Sequence, residues 1–77
     1  MKVKIKVYDN CKYDTTSSVV AECHYNIKGY EVKKIAPTQI HAEGFDEIDP
    51  YDEYLIIRTM DDKFYTFRNS FVDIFAE

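Results

Sequence analysis

The chain of 77 residues is 45% hydrophobic and 16% aromatic, and its formal net charge is −4. That length makes one domain, residues 1–77, which buries only about 60% of the surface its unfolded form exposes, so the core is small. No apolar run approaches the roughly 18 residues of a membrane span, and two glycines and two prolines are too few for a linker or a disordered tail.

Seven tyrosines, five phenylalanines and a single leucine, Leu55, favour a pleated, half-buried surface. Along Lys2-Val3-Lys4-Ile5-Lys6-Val7-Tyr8 the pattern alternates without a fault, which predicts a strand with Val3, Ile5 and Val7 inward and the lysines outward. The same stretch lacks the continuous apolar segment of a secretory signal. It therefore predicts a cytoplasmic protein in which Cys11 and Cys23 are free thiols; secretion would make them one disulfide. Residues 9–18 are polar and rich in turn formers, so a loop follows.

Residues 18–28 support two readings. As a strand, Val19, Ala21, Cys23, Tyr25 and Ile27 share one face. As a helix, Ser18 caps, Val20, Cys23, His24 and Ile27 form a stripe, and Gly29 stops it. The strand has one exception, Val20, whereas the helix must bury His24, so the strand is preferred. A turn over residues 26–29 then leads to a second short strand over residues 30–35. Pro37 denies a ladder hydrogen bond and marks a break or an edge. Extended character resumes around Ile40 and Ala42, before an acidic loop over residues 44–53 that contains Pro50.

Residues 54–60 are apolar and β-branched, Asp61-Asp62-Lys63 is turn chemistry, and residues 64–68 return as a strand. This is a β-hairpin; without glycine at the turn its loop takes three or four residues. Leu55, Ile57, Tyr65 and Phe67 read as core. Ser70 and Asp73 form a capping-box pattern, with Phe71, Ile74 and Phe75 at helical spacing. One helical turn or a short edge strand closes the chain with those three residues inward. The fold class is mainly β: a bent antiparallel sheet of about five strands, either closed as an SH3-like barrel or open with a helix on one face.

Charge divides unevenly. Residues 1–36 carry seven lysines against four acids, and residues 37–77 carry three cations against ten acids. The halves either neutralise each other across the fold or mark an electrostatic partner. Asp46, Glu47, Asp49, Tyr51, Asp52, Glu53 and Tyr54 form the first candidate site. Its carboxylates can imitate nucleic-acid phosphates before a basic protein, with Tyr51 and Tyr54 as rigid anchors. The plain alternative is a solvated loop, and the stretch lacks the ligand register of a calcium loop. Lys2, Lys4, Lys6 and Lys33, with Tyr8, form a second candidate that could track a phosphate backbone. Its plain alternative is an edge strand whose lysines block strand-to-strand association.

Cys11, Cys23, His24 and His41 have the wrong spacing for a closed zinc module, and on a strand Cys23 and His24 point to opposite faces. No nucleophile triad or phosphate loop is written in the chain, so neither an enzyme, a cofactor nor a metal is expected.

The run from Tyr54 to Arg58, Asp61-Asp62, and Phe64 through Phe75 resembles the end of small uncharacterised proteins of Firmicute phages and conjugative elements. There a hydrophobic strand, an acidic turn and a TFRNS-x-VD-hydrophobic run close the chain. The resemblance covers the last third, and the similar proteins often have Asp-Gly where this chain has Asp61-Asp62. It implies a mobile-element origin and a bacterial cytoplasmic location, and supplies no activity. The expected function is a non-enzymatic protein-binding module, in its specific form an acidic inhibitor of a host nucleic-acid-binding or defence protein. Nucleic-acid binding through the lysines is the alternative, followed by a homodimer built by edge pairing of the first or last strand. A protein partner ranks ahead of nucleic acid, and no membrane partner is expected.

Overall fold

A computed structural model describes residues 1–35 and 51–77. Pro37, Ile40, His41, Ala42, Pro50 and the acidic residues Asp46, Glu47 and Asp49, with the readings placed on them, lie outside the described residues. The elements in chain order are β1 (Lys2–Tyr8), β2 (Val19–Lys34), β3 (Glu53–Thr59), β4 (Phe64–Arg68), a 3-10 turn (Asn69–Phe71) and β5 (Val72–Ala76). All neighbouring strands are antiparallel, and their order across the sheet is β4-β3-β2-β1-β5.

The expected β class and strand number hold, and the sheet is open. β4 and β5 are its two edges and do not pair with each other, so the barrel alternative is corrected to a bent sheet. The helical alternative for residues 18–28 gives way to β2. That strand is one element of 16 residues rather than two strands and a turn. Its first part pairs with β1 and its last part with β3.

The register explains the difference. Ile27 lies opposite Thr59 and Gly29 opposite Arg58, so Lys28 is an extra residue, a β-bulge. Before it the odd residues Cys23, Tyr25 and Ile27 share a face with the core; after it Tyr30 and Val32 take that face, opposite Ile57 and Leu55. A one-residue slip reverses every side chain, and the bulge absorbs that slip while the strand bends.

The core is Val3, Ile5, Ile27, Leu55, Ile57 and Val72, with Val7, Tyr25, Phe67 and Ile74 packed against it. Each buried aliphatic side chain contributes about 1.5–3 kcal/mol. Tyr25 spans the fold: its ring lies 5.2 Å from that of Tyr65 and 6.4 Å from that of Phe67. Burial pushes the Tyr25 phenol up, with Cys23 beside it adding to the shift. Leu55 and Ile57 are fully buried core residues and Phe67 packs against the core as expected, whereas Tyr65 keeps 39% of its surface exposed at the rim.

The C-terminal helical turn arrives earlier than the spacing predicts, over Asn69–Phe71, and its flanking residue Arg68 makes no side-chain cap. Residues 72–76 form an edge strand on β1. Alternation then turns Val72 and Ile74 inward, while Phe75 faces out with 43% of its surface exposed. The physical reason is the unpaired side of β1, whose backbone groups need a partner that a helix would not supply. β1 is therefore internal, which removes both edge pairing through β1 and the edge-strand account of its lysines.

The hairpin loop takes the longer form, residues 60–63. Asp62 sits in the left-handed region, φ 63°, a position where glycine is the ordinary choice. Its carboxylate accepts from Lys28 Nζ at 2.7 Å and from Arg58 at 2.9 and 3.2 Å. Lys28 first, then Arg58, hold the Asp62 carboxyl below the usual range. The bulge residue thus grips the hairpin turn, and the Met60 N–H donates to the Asn26 carbonyl at 3.1 Å beside it.

A candidate protein-binding groove

Three segments converge beside the start of β3. The first is the loop between β1 and β2, folded around its own carboxylates. Asp9 accepts from the Ser18 N–H at 2.9 Å, and Asp14 accepts from the Thr16 N–H and hydroxyl at 2.9 and 2.8 Å. Those Thr16 bonds hold the Asp14 carboxyl below its ordinary range. The second segment is the 3-10 turn. The Lys12 N–H donates to the Ser70 carbonyl at 2.7 Å, and Lys12 Nζ reaches the Val72 carbonyl at 2.9 Å and Asp73 at 3.3 Å. Lys12 therefore ties the loop to the turn, with its ammonium 5.4 Å from the Tyr13 ring centre.

The third segment is the entry to β3. Asp52 accepts from Arg68 Nε at 2.9 Å and from a second guanidinium nitrogen, and Arg68 stacks over the Phe71 ring at 5.0 Å. Two guanidinium nitrogens converge on one oxygen, Oδ2, a charge-assisted contact by which Asp52 latches the start of β3 to the end of β4.

Between these segments lies an open cleft of about 320 Å³. Tyr13 and Tyr51 stand on it, 77% and 86% exposed, with Asn69 and Ser70 of the turn between the loop and the strand. Lys34 and Glu53, paired across β2 and β3, complete the lining. Of the acidic-aromatic stretch, Tyr51, Asp52 and Glu53 meet here. Tyr54 does not: it is 1% exposed and presents no surface to a partner, because strand alternation carries it away from Glu53. Tyr13, Asn69 and Ser70 were not readable as site residues, since only the loop-to-turn tie brings them together, and Lys34 arrives through its pairing with Glu53. A tyrosine isolated in the polar loop 9–18 was the available signal.

The lysine face is separate. Lys2, Lys4 and Lys6 lie opposite Asn26, His24 and Glu22 on β2, and Lys4 and Lys6 lie opposite Phe75 and Asp73 on β5. Lys4 and Lys6 each hold their ammonium 5.6 Å from the Phe75 ring centre. Tyr8 does not extend the stripe as a stacking surface. Its hydroxyl donates to Asp73 at 2.8 Å, a bond that raises the phenol above its ordinary range. Three carboxylates also edge this face, since Glu77 meets His24 Nδ1 at 2.5 Å. Lys33 does not join the other lysines; it lies opposite Tyr54 on the other half of the sheet and pairs with Glu31 at 3.1 Å.

Cys11 and Cys23 are free, half-buried thiols. Cys23 is opposite Ile5 and His24 opposite Lys4, on the two faces of the sheet. Among the described residues no three His, Cys, Asp or Glu side chains gather as metal ligands, and no helix is long and apolar enough to cross a membrane. Comparison with protein-family models, curated proteins and solved structures finds no match for this chain.

Proposed function

We propose that this chain is a non-enzymatic protein-binding module whose contact surface is the groove between Tyr13 and Tyr51. The observation that supports this reading is the pair of highly exposed tyrosines on one cleft whose walls are tied down by Lys12 and by the Asp52–Arg68 latch. Tyrosine supplies a large rigid contact area with a polar end, and it is enriched where interfaces carry their binding energy. In its specific form the partner is a basic, nucleic-acid-binding or defence protein of a bacterial host, and the chain is an acidic inhibitor encoded by a mobile element. The ten acids of residues 37–77 and the resemblance of the last third support that form.

Phe75, exposed between Lys4 and Lys6, favours a second reading, a contact with single-stranded nucleic acid through stacking and phosphate neutralisation. The two readings separate in one experiment. Wild-type chain, a Tyr51→Ala/Glu53→Lys variant and a Lys2→Glu/Lys4→Glu variant are immobilised against a Firmicute lysate, and the same proteins are titrated with a labelled oligonucleotide at low salt. The groove reading expects one retained protein that the Tyr51 variant loses by tenfold or more and the lysine variant keeps. Equal retention by all three overturns it, and oligonucleotide binding lost only in the lysine variant establishes the second reading.

A further inference from the structure

The outer face of β2, β3 and β4 has one position without a side chain. Gly29 of β2 lies opposite Arg58 of β3, and Arg58 lies opposite Phe64 of β4, so the three form a row across the sheet. Two residues along each strand, Glu31 and Ile56 begin the next row on that face. The fold does not require glycine at 29. Its φ lies outside the left-handed range, and a Cβ built there meets no atom within 4 Å. A bulge calls for glycine only where the backbone is left-handed, and glycine inside a strand otherwise weakens it. The missing side chain leaves an open cleft of about 220 Å³ instead, lined by Ile56 and Phe64 and by Lys28, Arg58 and Glu31. A strand glycine of this kind suits the close approach of a ligand.

The charges around the cleft do not balance. Lys28 and Arg58 both donate to a single atom, Asp62 Oδ1, and among the described residues it is their only hydrogen-bond acceptor. Lys28 thus spends one of three N–H groups and Arg58 keeps its Nη1 hydrogens, so a second acceptor can join without displacing Asp62. Asp62 and the Phe64 ring, 5.7 Å from the guanidinium, hold Arg58 in place. Glu31 is turned to Lys33 at 3.1 Å. Three cations therefore stand against two carboxylates, which leaves one positive charge over beside an apolar surface.

We infer that this cleft binds a free, single-ring aromatic carboxylate, its ring over Gly29 against Ile56 and Phe64 and its carboxylate on Lys28 and Arg58. Volume sets the size: drug-sized ligands occupy about 300–1,000 Å³, so this cleft takes one ring and not a nucleotide. One carboxylate matches the one unbalanced charge, and the ring gives up water against apolar side chains. The cleft shares no residue with the Tyr13–Tyr51 groove, so its failure leaves the proposed function standing.

Benzoate tests this, with benzyl alcohol as the ring without the charge and acetate as the charge without the ring. Each is titrated into the isotope-labelled full chain to about 20 mM, a range that covers weak binding, and followed by nuclear magnetic resonance. Benzoate is expected to shift the amide signals of Gly29, Ile56, Arg58 and Phe64 saturably, and the other two to bind about fivefold more weakly or less. Gly29→Val puts a branched side chain into the cleft and is expected to keep the circular dichroism spectrum while losing benzoate affinity by about tenfold or more. Arg58→Gln leaves the strand backbone alone and is expected to lower benzoate affinity to that of the alcohol. The inference is overturned if benzoate gives no saturable shift at these residues, or if the alcohol or acetate binds as tightly. Undiminished benzoate affinity in folded Gly29→Val or in Arg58→Gln overturns it too.

Discussion

The two halves that share β2 solve the burial problem in different ways. In the half built from β5, β1 and the start of β2, the central strand is one-sided: Val3 and Ile5 are 1% and 0% exposed, and the lysines between them face out. In the half built from the end of β2, β3 and β4, the central strand is buried on both faces. Leu55 and Ile57 are closed off on one side and Tyr54 on the other. A near-continuous apolar run, Tyr54-Leu55-Ile56-Ile57, is what such a strand requires, whereas clean alternation suffices for a one-sided one. The difference locates stability in β3. It leaves exposed aromatic and charged surface to the rims, where Tyr13, Tyr51, Phe64 and Phe75 stand.

The largest expected effect breaks this comparison if it fails. Ile57→Ala empties the middle of the two-sided strand and is expected to cost about 2–5 kcal/mol, enough to remove most of the stability of so small a domain. Val72→Ala, in the one-sided half, removes less buried surface and is expected to cost about 2 kcal/mol. Urea denaturation measures both. Equal losses would show that the halves share the core evenly, against the asymmetry drawn from burial.

How far the sequence was legible follows the same division. β1 carries an uninterrupted period of two, which states both the element and its buried face, and the hairpin carries a continuous apolar run closed by turn chemistry, which states the element. β2 carries two periods of opposite parity joined at Lys28-Gly29, and a local reading takes the join for a turn. Only the register against Thr59 and Arg58 shows that the chain goes straight through a bulge. The end of the chain holds both of its readings, a helical turn over Asn69–Phe71 and an edge strand over Val72–Ala76, and only the inward placing of Phe75 fails. Helical spacing of Phe71, Ile74 and Phe75 competes with a vacant strand position beside β1, and hydrogen bonding to β1 wins over one turn of local structure. The groove was half legible. Tyr51, Asp52 and Glu53 stood out as an acidic-aromatic stretch, but Tyr54 belongs to the core. Tyr13 joins them through a backbone bond between Lys12 and Ser70, residues with no common motif.

A smaller effect sharpens the role of the hairpin turn. Thr59 is the buried polar residue of β3, 7% exposed. Its hydroxyl oxygen accepts from the Lys63 N–H at 3.2 Å, and the hydroxyl donates to the Asp61 carboxylate, holding that carboxyl below its usual range. Thr59→Val keeps the shape and deletes the polar group. The expected cost is about 1–2 kcal/mol. Nuclear magnetic resonance titration should show the Asp61 carboxyl moving upward, toward the ordinary aspartate range. An unshifted Asp61 would mean that its backbone hydrogen bond and Lys63, which stands 3.5 Å away, set its acidity without Thr59.

The smallest effect compares the carboxylates that organise one loop in each half. Asp14 in the β1–β2 loop is lowered by Thr16, and Asp62 in the hairpin turn is lowered by Lys28. A carboxyl whose folded pKa lies below its unfolded value contributes stability above the unfolded value and loses it as pH falls through the folded one. The unfolding midpoint is therefore expected to be level near neutrality and to fall below about pH 4. Asp14→Asn and Asp62→Asn each remove one charge, and asparagine tolerates the left-handed backbone at position 62. Each variant is expected to flatten part of that acid limb. Asp62→Asn should flatten more of it, because Asp62 answers two cations, one of them the bulge residue that joins the halves, whereas Asp14 answers only its own loop. If the double variant keeps the wild-type acid slope, neither loop's carboxylate governs it.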